Sequence, residues 1–393
     1  MSTPRERIPR DIWILIASSF LVAVGFGLIV PVLPQFARSF GVGATAASVV
    51  VSAFAFFRLV AAPAGGRLVA RLGERPVYLT GLLLVSGSTA ATGFAQSYTQ
   101  LLVFRGLGGV GSTMFTVSAL AMIVRLAPPA IRGRVSAAWA STFLVGAILG
   151  PVLGGLLGGF GLRVPFLVYA AMLLLAAVVV ATFIPAAGRP DADDGSVLPP
   201  LTAREALHDS AYRAGLASAF ANGWSNFGVR NAILPLFAAS VVSDEPWVAG
   251  TALAVFAAGN ATGLTAAGRL TDRWGRRPFV LLGLAVSGVA TALTGWASGL
   301  GVLLALSVVA GAGAGTLNPA QQAAMADVVG RERSGGPALA AYSMAQDAGA
   351  IVGPVLAGLL VDHGSYPLAF VVTGAVTLLA MPPWLVARET LSR

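Results

Sequence analysis

Four charged side chains interrupt otherwise apolar stretches of this sequence: Arg58, Arg105, Arg230 and Asp347. An arginine near the middle of a bilayer costs at least about 2.5 kcal/mol on insertion scales, so such a residue faces protein or water and marks a pathway or a relay. Asp347 is the only acid deep within such a stretch, and a carboxylate there can take up and release a proton. Polar groups recur around these charges. Ser218, Asn222, Asn226 and Arg230 follow one another every four residues, Asn318, Gln321 and Gln322 cluster beside Pro319, and Arg105 shares a helical face with Ser112 and Thr116. A polar stripe on an apolar helix suits either a wet cavity for a small molecule or hydrogen bonds between helices. Phe115, Trp139, Trp224 and Phe227 are candidate apolar walls for such a cavity, with packing as the alternative.

The composition excludes several chemistries. The chain is 56% hydrophobic and 10% charged, whereas an ordinary soluble domain is roughly 25% charged. The bilayer is therefore the solvent. With no cysteine, there is no disulfide, thiolate metal site or cysteine nucleophile. His208 and His363 lie far apart in polar segments, so no metal is expected. All 25 basic residues are arginine; without lysine there is no P-loop lysine to reach a phosphate and no Schiff base. No cofactor and no enzymatic activity are expected, and work must draw on an ion gradient or a partner. The net charge of +9 does not imply nucleic acid, because the arginines follow membrane topology.

A span needs roughly 20 apolar residues. Twelve stretches qualify, at about 12–35, 45–69, 77–96, 99–124, 134–159, 164–184, 213–240, 247–270, 278–297, 300–327, 337–361 and 366–387. On this map twenty arginines share one side and only Arg38 and Arg163 fall on the other, which places both termini in the cytoplasm. The expected class is an all-α membrane protein of twelve transmembrane helices in two six-helix bundles. The bundles cover 1–184 and 213–393, with a cytoplasmic linker at 185–212. The linker holds Asp191, Asp193, Asp194 and the Pro199-Pro200 pair; Thr202 and Glu205 fit a capping box for a short helix over about 203–210.

The halves repeat. Gly146 to Leu157 (GAILGPVLGGLL) matches Gly349 to Leu360 (GAIVGPVLAGLL) at ten of twelve positions, offset by 203. Gly66 to Pro76 (GRLVARLGERP) matches Gly268 to Pro278 (GRLTDRWGRRP) at seven of eleven, offset by 202. Two motifs at nearly one offset indicate an internal duplication. Gly146, Gly150 and Gly154 make a flat stripe for close helix approach, Pro151 bends that helix, and Gly349, Gly353 and Pro354 repeat the arrangement. The repeated loops supply turn glycines and headgroup-level charges: Gly66, Arg67, Arg71, Gly73 and Arg75 in the first copy, and Gly268, Asp272, Arg273, Gly275 and Arg276 in the second.

These features resemble the major facilitator superfamily over nearly the whole chain. The loop motif resembles the family signature G-x-L-x-D-R-x-G-R; its acid is Ala70 in the first copy and Asp272 in the second. Arg105-Gly-Leu-Gly108-Gly resembles the R-x-x-Q-G motif, with Gly108 in place of Gln. The Gly-Pro stretch resembles that of twelve-span drug:proton antiporters, and Pro31-xx-Pro34 closes span 1. The resemblance implies a secondary transporter whose spans 1, 4, 7 and 10 line a central cavity, with Arg105, Ser112, Thr116, Asn222, Asn226, Arg230, Asn318, Gln321 and Gln322 toward the substrate. It implies gating by the two loops and bundles that rock about a midplane site. It also sets spans 2 and 11 side by side, so Arg58 and Asp347, at similar depths, are an expected proton-coupling pair. Spans 1, 4 and 7 carry no acid, which favours neutral or anionic amphipathic compounds over lipophilic cations.

The expected function is proton-coupled export of a small amphipathic compound or drug by a monomer, multi-pass in the cytoplasmic membrane. The alternatives are an importer or facilitator of a small polar or anionic metabolite, and a non-transporting sensor or assembly protein.

Overall fold

The computed structural model describes residues 8–128, 131–185, 201–330 and 336–391. Linker positions Asp191, Asp193, Asp194, Pro199 and Pro200, and the topogenic Arg5, Arg7, Arg189, Arg331, Arg333 and Arg393, lie outside them. Every regular element among the described residues is a helix. In order they form α1 (Arg10–Ile29), α2 (Leu33–Arg38), α3 (Ala44–Leu72), α4 (Glu74–Gly93), α5 (Tyr98–Leu126), α6 (Arg132–Gly158), α7 (Val164–Phe183), α8 (Ala203–Ala206), α9 (Ser210–Asn222), α10 (Arg230–Phe237), α11 (Pro246–Trp274), α12 (Arg277–Thr294), α13 (Leu300–Val329), α14 (Gly336–His363), α15 (Tyr366–Leu379) and α16 (Met381–Val386). Among the described residues, ten helices are long and apolar enough to cross a membrane. The stretches expected at spans 3 and 7 are helical as well, as α4 and as the run from Ser210 to Val242.

Local chemistry sets the boundaries. Gly73 (φ 86°) and Gly275 (φ 103°) make the turns between α3 and α4 and between α11 and α12, in a backbone region that disfavours a side chain. Ser97 caps α5 and Ser365 caps α15 through their hydroxyls. The capping box of Thr202 and Glu205 is formed, but the helix it opens stops at Ala206, short of the expected 210, because Asp209 caps a new helix, α9. The last span breaks at Ala380, where α16 opens on Pro382 and Pro383. The stretch expected as the seventh span is not a uniform α-helix: Gly223–Val229 and Ala238–Val242 widen into π-helical turns on either side of α10, a distortion that recurs at functional sites.

The chain forms two compact units. One comprises 1–36 and 53–193, the other 37–52 and 194–393. In the first, α1 packs on α6 and α7, and α4 on α5 and α7. In the second, α11 and α12 pack on α13, and α14 on α9 and the π-helical turn. Glycine seams make both close. A Cβ on Gly81 would lie 2.8 Å from the Gly111 carbonyl, and one on Gly283 at 2.8 Å from that of Gly313, the same contact 202 residues on. A Cβ on Gly150 would lie 2.5 Å from Gly27 Cα, one on Gly154 2.1 Å from the Leu28 carbonyl oxygen, and one on Gly349 2.1 Å from that of Phe220. The Gly-Pro stripe therefore packs α6 on α1 and α14 on α9 and the π-helical turn, each within its own unit.

Candidate functional site

In the second unit the polar stripe crosses the π-helical turn, from Ser218 and Asn222 on α9 through Asn226 to Arg230 at the start of α10. Asn222 donates to Asn318 Oδ1 at 3.0 Å, and Asn226 donates to Asn222 Oδ1 at 2.7 Å, which leaves the buried Asn226 Oδ1 without a partner. Gln321 donates to Ser218 Oγ at 2.8 Å, and Trp384 donates to the same oxygen at 3.0 Å. Ser218 and Gln321 are thus held inside the bundle, while Asn222, Asn226 and Asn318 form a chain whose last two members are half-buried. Gln322, next to Gln321, is exposed.

Arg230 ends the stripe. It is 5% exposed, its guanidinium carbon lies 3.9 Å from the centre of the Phe256 ring, and Nη2 donates to Thr291 Oγ1 at 3.2 Å. Its Nε has no partner, and no carboxylate among the described residues pairs with it. Packing on an aromatic face offsets part of the cost of burying the cation, but the remaining donors still suit an anion.

The first unit repeats the motif with other means. Arg105, also 5% exposed, lies 4.6 Å from the centre of the Phe54 ring, again with Nε unpartnered. Phe54 and Phe256 are 202 residues apart, so they are the same position in the two halves. The arginine comes from span 4 in one unit and span 7 in the other. Ser112 is half-buried, and Thr116 is exposed with its hydroxyl turned to the Ser112 carbonyl at 2.8 Å. Of the aromatic candidates, Phe115 packs on Tyr78, Trp139 donates to Ser19 Oγ at 3.0 Å, and Trp224 donates to Thr373 Oγ1 at 3.4 Å; Phe227 is exposed. Arg58 sits exposed on α3 and Asp347 half-buried on α14, and both are engaged in interactions.

The loop motifs are ion-paired. Glu74 binds Arg125 at 2.7 Å in the first unit. In the second, Arg276 binds Asp272 at 2.5 Å and Asp327 at 3.2 Å, and Thr390 donates to the same Asp327 oxygen at 3.0 Å. Burial draws the Arg276 pKa down, but the two carboxylates more than offset this and leave it raised. Arg75 reaches the Ala181 carbonyl at 2.6 Å, and Arg277, its counterpart, reaches that of Leu385. Gly66 and Gly268 have open space around them, and Arg67, Arg71 and Arg273 are exposed.

Sequence reasoning missed an apolar cavity of about 340 Å³ in the second unit, between the linker helix and spans 7 and 11, lined by Ala203, Leu207, Tyr212, Leu216, Met344 and Ala345. Each residue reads as ordinary packing on its own, so no pattern along the chain signals it.

The Major Facilitator Superfamily model matches residues 15–246 and again 215–393. The chain belongs to this superfamily. It is 31% identical over 170 residues to Multidrug resistance protein 2 of Bacillus subtilis (strain 168), a match covering 43% of this chain and 42% of that protein. It is 27% identical over 167 residues to the Quinolone resistance protein NorA of Staphylococcus aureus, covering 42% and 43% respectively. The chain thus spans less than half the length of the curated relatives it matches. Among solved structures, a bacterial homologue of the human lysosomal transporter Spinster superposes with a TM-score of 0.77 at 16% identity, over 95% of both chains. The human organic anion transporter MFSD10 superposes with a TM-score of 0.68 at 20% identity, over 96% of this chain and 100% of that one. At such identities these two establish the fold alone.

Proposed function

We propose that this superfamily member is a secondary transporter working by alternating access, with twelve spans and cytoplasmic termini. In this reading it acts as a monomer in the cytoplasmic membrane and exports a small amphipathic compound, neutral or anionic, in exchange for protons. The family match over both halves supports transport, and the multidrug and quinolone resistance relatives support export. The observation that carries the substrate class is Arg230, a buried guanidinium with an unpartnered Nε and no carboxylate beside it among the described residues. A site built for lipophilic cations needs the opposite charge.

The test is flux in proteoliposomes under an imposed pH gradient, with fluorescein as the anion and ethidium as the cation. Gradient-driven movement of fluorescein, collapsed by a protonophore, is the expected result. Arg230→Gln should slow it about tenfold, the effect of losing one charge-assisted contact. Movement of ethidium alone would overturn the substrate class, and flux indifferent to the protonophore would overturn proton coupling. Asp347→Asn and Arg58→Gln address the coupling pair expected from the sequence: each should leave downhill exchange and remove gradient-driven accumulation. Accumulation on the opposite side would favour the importer reading, which the two acid-free arginine sites fit equally well.

A further inference from the structure

Residues 37–52 belong to the second unit although they come from the first half of the sequence, and one carboxylate explains much of this. Asp362, in the last turn of α14, accepts the Ala44 N–H at Oδ1 (2.8 Å), the Thr45 N–H at Oδ2 (2.9 Å) and the Thr45 hydroxyl at Oδ2 (2.6 Å). The first N–H groups of a helix have no partner within it. A residue just before the helix usually supplies one, but here that residue is Gly43, which has no side chain to offer. The cap for α3 comes instead from a point 317 residues away. As an ionised acceptor it also meets the positive end of the helix dipole.

The surroundings fit this contact. A Cβ on Gly43 would lie 2.7 Å from Asp362 Oδ2, and one on Gly358, a turn before Asp362, would lie 2.7 Å from Thr45 Cα. Farther along, Ser52 donates to the Ile351 carbonyl at 2.8 Å. At the other edge, Arg38 Nη1 reaches Ser240 Oγ at 3.4 Å, and Ser240 shares a hydrogen bond with the Tyr366 hydroxyl at 3.1 Å. In the topology read from the arginines, all of these groups lie toward the outer side.

We propose that Asp362 is a positioning residue of the transport cycle: its carboxylate clasps the first turn of α3 to the end of α14 in one state and lets go in the other. This rests on the alternating-access reading above. A clasp of charge-assisted bonds to backbone N–H groups needs no partner side chain to reorient. It can therefore close on any approach that brings the helix start back to the carboxylate. Asp362 touches no substrate in this account; it sets how long the outer side stays shut.

The chain has no cysteine, so single-cysteine labelling needs no background removal. Ser48 lies one turn into α3 and is fully buried. In Ser48→Cys protein reconstituted in liposomes, an impermeant maleimide added outside reports opening at this place. Adding Asp362→Asn, which keeps the shape and removes the charge, should raise the labelling rate about tenfold. Thr45→Val, which removes only the hydroxyl bond, should raise it less. Gly43→Ala, whose methyl crowds the carboxylate while leaving Asp362 itself unchanged, should act in the same direction as Asp362→Asn. For fluorescein flux, Asp362→Asn should change kcat while KM stays within about twofold, as expected when a conformational step rather than binding is altered. Equal labelling in Ser48→Cys protein with and without Asp362→Asn would overturn the proposal. So would a labelling increase accompanied by an equal drop in thermal stability, which marks local unfolding. Labelling reads the clasp even if no probe is transported, so failure of the transport reading and failure of the clasp remain distinguishable.

Discussion

The two units hold the same ion pair with its signs exchanged. Glu74 and Arg125 in the first unit correspond, 202 residues on, to Arg276 and Asp327 in the second. The bonds are 2.7 and 3.2 Å. The loop partner is the buried one in both units, with side chains 9% and 10% exposed, and the partner on the long helix is 32% and 30% exposed. The fold thus demands a neutralised pair at this turn and is indifferent to which side supplies the cation. The comparison also explains a departure from the family pattern. The signature acid survives as Asp272, one turn before cationic Arg276, and is replaced by Ala70, one turn before anionic Glu74. An acid at position 70 would stand at i, i+4 from Glu74, a destabilising like-charge spacing. The two buried arginines tell a similar story. The ring that receives them was duplicated as Phe54 and Phe256, while the cation arrives from different spans.

The largest effects are expected at the glycine seams, which are alike in both units. A Cβ on Gly154 would lie 2.1 Å from the Leu28 carbonyl and one on Gly349 2.1 Å from that of Phe220, contacts that cannot be met without moving backbone. Gly154→Ala and Gly349→Ala should each cost about 1–3 kcal/mol or more, read as lost monodisperse protein and a lowered Tm in detergent. Gly268→Ala, in open space, should cost nothing measurable. Equal melting of all three would remove the seam as the common element of the two units.

Much of this was legible in the sequence, and the reason is physical. Apolar length and glycine spacing are properties of a helix by itself, so the helices and the seams could be read from one strand of text. The loop turns at Gly73 and Gly275 were legible because only glycine tolerates their backbone. The partners of side chains were not. The four-residue spacing of Ser218, Asn222, Asn226 and Arg230 promised one face, but Ser218 is taken by Gln321 and Trp384 while Arg230 lies against Phe256. The π-helical turn between them shifts the register, and no residue type announces it. The Asp362 clasp was invisible for a similar reason: a cap supplied across 317 residues leaves no local signature.

Charge reversal at the two loop pairs should have intermediate effects. Glu74→Arg alone should destabilise by about 1 kcal/mol or somewhat more, since Glu74 is buried and Arg125 partly exposed. Adding Arg125→Asp should recover most of the loss by copying the polarity of the second unit. Adding Ala70→Asp to that double variant should then stabilise slightly, although Ala70→Asp in the natural chain destabilises. In the second unit Arg276→Glu should cost more than Glu74→Arg, because it opposes both Asp272 and Asp327, and Asp327→Arg should rescue it only in part. Thermal melts of the six proteins give the answer. If the order of the two single reversals is inverted, the added acid is not what distinguishes the second loop.

The smallest effect is expected where the second unit has no counterpart in the described part of the first. Asp209 and Glu389 tie the start of α9 and the start of α12 to the segment after α16. Partial burial raises the pKa of each, but the Arg388 guanidinium and the Ala211 N–H at Asp209, and the N–H groups of Arg276, Leu391, Arg277 and Thr390 at Glu389, more than offset it and leave both lowered. A carboxylate depressed in the folded state stabilises fully above its unfolded value, about 4, and loses that contribution as pH falls through the folded value. Arg388, raised beside Asp209, would lose its share only at strongly alkaline pH. Acid should therefore loosen this corner below about pH 4, and the loss should be modest because Arg388 is half exposed. Asp209→Asn and Glu389→Gln should lower the Tm at neutral pH and flatten its fall on acidification. A fall of unchanged steepness in the double variant would place the acid sensitivity at other carboxylates, and with it the claim that this corner is what sets the second unit apart.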